Sequence, residues 1–113
     1  MTSPERRKGN AFEVAIAQYL RDHGHPYAER AYGAGRPDDR GDIDGIPGFV
    51  LSAKNQAQVR LGVWMNEVET QRVNARASFA ALIVKRRGAP VDRAYVVLDL
   101  ATFAALMTEE PIA

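Results

Sequence analysis

Asp42, within Gly41-Asp42-Ile43-Asp44-Gly45, stands ten residues ahead of Ser52 in Ser52-Ala53-Lys54, so an acidic turn feeds an apolar run that ends on a lysine. A carboxylate at the tip of one strand and an ammonium at the end of the next can jointly hold a divalent cation and a water beside a phosphate. Asp44 competes with Asp42, because alternation projects both to the same face of a strand. Asp38 and Asp39, like Asp44, have ordinary turn chemistry as their plainer explanation. The chain has no cysteine, which removes disulfides, thiolate zinc sites and cysteine nucleophiles. His23 and His25 are the only imidazoles, and they flank Gly24 as surface or capping residues. Any metal must therefore be held mainly by oxygen. No glycine-rich phosphate loop, Ser-His-Asp order or zinc spacing is present.

The elements that position these groups follow from hydrophobic period. Phe12, Ile16, Tyr19 and Leu20 form one stripe of a helix expected from about Lys8 to His23, closed by Gly24. Glu13 sits within about 20° of Leu20 on the helical wheel, at the margin of the apolar face. A short strand is expected over 27–32, a turn-rich loop over 33–40, and a hairpin over 42–46 and 49–54 around Pro47-Gly48. A second helix is expected over 61–77 with Leu61, Trp64, Val68 and Ala75 inward. Strands over 79–84 and 94–98 and a last helix capped by Asp99, containing Phe103, Leu106 and Met107, complete the order. Helix, three strands, helix, two strands, helix gives an α/β fold, one mixed central sheet flanked by helices (α-β-β-β-α-β-β-α).

At 113 residues the chain reads as a single domain over 1–113, with 1–7 a flexible basic N-terminus. No apolar stretch approaches the roughly 18 residues of a membrane span. Met1–Lys8 is charged with no apolar run behind it, so no secretory signal is expected and the location expected is the cytoplasm. A net charge of +1 conceals clustering: Arg6, Arg7 and Lys8; Arg30, Arg36 and Arg40 around the acidic turn; Lys85, Arg86 and Arg87. Basic clusters about an acidic centre suit a phosphate backbone approaching a cation.

Lys8-Gly9-Asn10-Ala11-Phe12-Glu13, Gly41-Asp42-Ile43 and the strand ending in Lys54 resemble, in order and spacing, the PD-(D/E)XK nuclease superfamily, and within it the archaeal-type and phage-type Holliday junction resolvases. The similarity covers about residues 8–100. It implies a restriction-endonuclease-like core, a magnesium or manganese cofactor, and a site at Glu13, Asp42, Ser52 and Lys54. Asp42 would be the central metal ligand, Glu13 a direct or water-mediated one, and Lys54 would orient the nucleophile or neutralise the transition state.

Serine departs from the acid that the superfamily pattern has at position 52, which removes a ligand and a negative charge. Some restriction enzymes of the superfamily also carry serine there and recruit a glutamate from the next helix. Glu67 lies thirteen residues beyond Lys54 and Glu69 two further on. With Trp64 at the centre of the buried face, Gln71 falls about 20° away, Glu67 about 60° and Glu69 about 140°, which favours Glu67 as the replacement. Gln71, a polar group in an apolar stripe, requires a buried partner, expected in a water or metal network near Lys54.

The resemblance therefore implies a metal-dependent, structure-selective DNA endonuclease cutting four-way junctions, in a bacterial or phage-infected cell. Two paired incisions about a twofold axis call for a homodimer. The basic residues Arg6, Arg7, Lys8, Arg36, Arg40, Lys85, Arg86 and Arg87 would face DNA phosphates. A duplex-cutting restriction or repair endonuclease is the nearer alternative. A DNA-binding protein on the same scaffold, impaired in catalysis with Ser52 as the relic, is the other.

Overall fold

The computed structural model describes residues 3–31 and 39–108. Arg36, Asp38 and most of the expected 33–40 loop lie outside them. Helix α1 spans Pro4–Asp22, starting earlier than the apolar stripe suggests. The Ser3 hydroxyl accepts from the Arg6 N–H at 3.1 Å and proline occupies the first turn, where its missing N–H costs nothing. Of the basic start, Arg6 and Arg7 belong to this helix. The helix stops at His23, whose ring stacks on Tyr19, and Gly24 follows at φ +96°.

Among the described residues five strands form one sheet in the order β1 (Glu29–Arg30), β2 (Ile43–Asp44), β3 (Phe49–Lys54), β4 (Phe79–Val84), β5 (Tyr95–Val97). β3 and β4 are parallel and every other neighbouring pair is antiparallel. Helix α2 (Leu61–Ala75) makes the crossover that a parallel pair requires, and α3 (Leu100–Thr108) follows β5. The expected α/β class and element order hold, with β1 and β2 shorter than expected and a 3-10 turn at Val91–Arg93 inside the expected loop.

Alternation along β3 and β4 sends side chains to two cores. Leu51, Ala81 and Ile83 join Ile43 beneath Phe12, Ile16 and Ala17 of α1. Val50, Ala80, Leu82 and Val84 pack under Trp64 and Val68 of α2. Ser52 and Lys54 share parity with the second set and so stand on the α2 face. Leu61 is 44% exposed, contrary to its expected inward position, because it begins the helix at the sheet margin. Arg76, at φ +54°, ends α2 in the left-handed region without a glycine to signal it. The Asp99 carboxylate caps α3 by accepting from the Thr102 N–H at 2.8 Å. No helix among the described residues is long and apolar enough to cross a membrane.

Candidate active site

Two glycines shape the acidic turn. Gly41 (φ +97°) and Gly45 (φ +90°) bring the chain so close to its neighbours that a Cβ at 41 would lie 2.9 Å from the Leu51 carbonyl oxygen, and one at 45 only 1.8 Å from that of Tyr27. Between them β2 is short, so β3 runs past its partner and would leave an N–H unmatched. The Asp42 carboxylate fills that place: Oδ2 accepts from the Ala53 N–H at 2.7 Å and from the Ser52 hydroxyl at 3.2 Å. Register separates the two competing aspartates. Ile43 pairs with Leu51 in antiparallel sense, so Asp42 lies toward the Lys54 end of β3 and Asp44, opposite Glu29, lies away from it.

Glu13 reaches the same edge from α1. Its Oε2 accepts from Arg30 Nε at 2.7 Å, and Arg30 also donates to Asn10 Oδ1 at 2.8 Å. Burial raises the Glu13 carboxyl above its ordinary range against the lowering hydrogen bond from Arg30, and the neighbouring Asp42 raises it further. Asp42 is raised too, first by burial, with Asp39 adding to the effect; the Ala53 and Ser52 donors and the Lys54 charge oppose it. Two partly desolvated carboxyls thus meet, Glu13 with the Arg30 guanidinium beside it and Asp42 within the field of the Lys54 ammonium. Lys54 Nζ lies 3.2 Å from Glu67 Oε2 and 5.7 Å from the centre of the buried Trp64 ring.

Glu67 is therefore beside Lys54, as the helical wheel favoured, whereas Glu69 pairs with Arg72. Its carboxylate is turned to the lysine. Among the described residues no three acidic or imidazole side chains are gathered closely enough to hold an ion by themselves. Glu13 and Asp42 offer hard oxygen donors of the kind magnesium or manganese takes, with Arg30 already paired to Glu13.

Gln71 is 5% exposed, but its partner is not in a network at Lys54. Nε2 donates to Asp39 Oδ2 at 2.8 Å, while Oε1 is buried with no hydrogen-bond partner among the described residues. Asn74 donates to the Asp39 carbonyl at 2.9 Å, so α2 clamps the entry to the acidic turn. Asp39 does more than turn chemistry: it is anchored by the helix and acts on Asp42 through its charge. This role, and those of Arg30 and Asn10 toward Glu13, escaped the sequence reading. The signal for Asn10 was its place one turn before Glu13, on the same side of α1.

The basic clusters are distributed unevenly. Arg6, Arg7, Lys8, Arg40, Lys85, Arg86 and Arg87 are exposed. Lys8 meets the third cluster: with Asn55, Lys85 and Arg87 it lines a cleft of about 370 Å³. Asn55 directly follows Lys54 and donates to the Lys8 carbonyl at 3.4 Å, so this cleft opens beside the acidic edge. No protein-family model, curated protein or solved structure matches the chain in comparison with known proteins.

Proposed function

We propose that the protein is a metal-dependent, structure-selective DNA endonuclease with a restriction-endonuclease-like core, resembling the PD-(D/E)XK Holliday junction resolvases and acting as a cytoplasmic homodimer on four-way junctions. The observation that carries this reading is that Asp42, in the turn before β2, has Glu13 of α1 on one side and Lys54 of β3 on the other, at the end of β3 where Asn55 leads into a cleft lined by Lys8, Lys85 and Arg87. Buried carboxyls with perturbed protonation beside a cation are where hydrolytic chemistry is arranged.

Phosphodiester hydrolysis adds a hydroxide to phosphorus, breaks one P–O bond and delivers a proton to the leaving oxygen. Glu13 and Asp42 would hold the divalent cation, which supplies Lewis acidity toward the phosphate and acidifies a water. Lys54, held between Glu67 and Trp64, would offer its ammonium to the negative charge that grows on the phosphoryl oxygens. Ser52 has no carboxylate to offer, but its hydroxyl donates to Asp42 and helps fix that side chain's orientation. Lys8, Lys85 and Arg87 address backbone phosphates without reading sequence.

Serine at position 52 in place of an acid favours a second reading, a DNA-binding protein that has lost cleavage. Incubation with a synthetic four-way junction in magnesium or manganese separates the two. The enzyme yields paired nicks, and Asp42→Asn or Lys54→Ala each lowers the rate by about 100-fold or more. Retention of the junction without product in either metal would overturn the enzyme reading.

A further inference from the structure

A second groove lies on the same face of the sheet as Lys54. Strand pairing sets Lys54 opposite Val84 and Val84 opposite Tyr95, so three side chains on adjacent strands form one row on the α2 face. With strands about 4.8 Å apart, Tyr95 stands roughly 10 Å from Lys54. Around it is a groove of about 700 Å³ with Val59, Leu61, Val84 and Val97 among its walls and the Lys85-Arg86-Arg87 triplet at its rim. Arg86 lies over the Tyr95 ring at 5.8 Å from its centroid, and the tyrosine remains 54% exposed. An aromatic ring with a guanidinium against it, set in an apolar trough under three cationic residues, has the makings of a platform for a nucleobase whose phosphates are held at the edge.

We infer that this groove binds an unpaired nucleotide of a DNA strand, the base stacking on Tyr95 and the adjoining phosphates held by the Lys85–Arg87 triplet. The inference rests on the proposed nuclease reading for its substrate class, and it adds to that reading a recognition element. A duplex keeps its bases stacked inside and has none to offer the groove. A branch point, gap or single strand does, so selectivity for such structures would come from a site about two strands away from the cutting residues. Charge complementarity decides the occupant, because a purely apolar partner would leave the triplet's charges beside it unmatched.

The test measures binding with EDTA present, so that it is independent of cleavage. Wild-type protein should bind a single-stranded oligonucleotide, and Tyr95→Ala should weaken this by about 5- to 150-fold while linear-duplex affinity stays unchanged. Tyr95→Phe, which keeps the ring, should bind as wild type. A single strand carrying 5-iododeoxyuridine, irradiated with the unaltered protein, should crosslink to the peptide containing Tyr95, which tests the site even where a variant fails to fold. Equal single-strand binding by folded Tyr95→Ala, crosslinks confined to other peptides, or loss of a dimer in Tyr95→Ala with single-strand affinity unchanged would overturn the inference. If the groove result holds while no junction is cut in magnesium or manganese, the cleavage reading fails alone; if junctions are cut and Tyr95→Ala changes nothing, the groove fails alone.

Discussion

Asp42 carries two obligations that pull in different directions. Its Oδ2 completes the hydrogen bonding of β3 through Ala53, yet burial and Asp39 hold its carboxyl above the ordinary value of 3.8. A carboxyl that keeps its proton more tightly folded than unfolded favours the fold below its ordinary pKa and loses that contribution as pH rises through the raised value. Glu13 behaves alike from its ordinary 4.5. Ionising either carboxyl therefore works against the fold. Asp42→Asn, which keeps an oxygen acceptor for Ala53, should therefore raise the cation-free Tm at pH 7 by about 2–5 °C. The gain should vanish in melts below about pH 4, where the native carboxyl is protonated as well. A fall in Tm at pH 7 would show that the carboxylate is net stabilising. Ser52, 1% exposed beside Asp42, leads to the opposite experiment. Ser52→Glu adds a third anion to the edge, so it should lower Tm without cation and enlarge the manganese-induced rise in Tm relative to wild type. An unchanged manganese shift would exclude position 52 from the ion's surroundings.

At the level of elements, the parts written in hydrophobic period were legible and the parts written in long-range partnerships were not. β3, β4 and the start of α2 fall where their apolar runs place them, because burial on one or both faces leaves a period in the chain. The early start of α1 is written in Ser3-Pro4, a cap and first-turn proline that the apolar stripe, beginning at Phe12, does not reach. The end of α2 was not legible, since Arg76 adopts a glycine-like conformation with no residue type to betray it. The nearness of Glu67 to Lys54 could be anticipated because helical angle is local geometry, whereas alternation left Asp42 and Asp44 level and only the resemblance set Asp42 first. The partner of Gln71 could not, as Asp39 is 32 positions away in the chain and reaches it only through the fold. Backbone effects belong to this scale. Arg76→Gly should stabilise by about 0.5–1 kcal/mol by relieving the left-handed conformation. Gly45→Ala should cost about 3 kcal/mol or more, given a Cβ placed 1.8 Å from a backbone oxygen. Urea denaturation measures both, and an unaffected Gly45→Ala midpoint would mean that the turn relaxes freely.

Over the whole molecule, charge is sorted by position although the total is near zero. Lys8 comes from the first helix and Lys85 and Arg87 from beyond the fourth strand, and the fold lines one cleft with all three. Neutralising them together should weaken DNA binding without regard to sequence. It should also reduce the slope of log K against log salt by about 2–3, at about 0.9 for each phosphate left without its cation. Filter binding over a salt series reads this directly, and an unchanged slope would remove the cleft from the DNA path.

The acid that the proposed chemistry turns on is also a stitch in the fabric of the sheet, replacing a strand that stops short. If the proposed ion binds there, its ligation and the Ala53 amide bond are coupled, each altering the other by the same free energy. Drawing electron density from the carboxylate would loosen the stitch, so the Ala53 amide proton would serve as a built-in gauge of occupancy, readable by NMR with no nucleic acid in the tube.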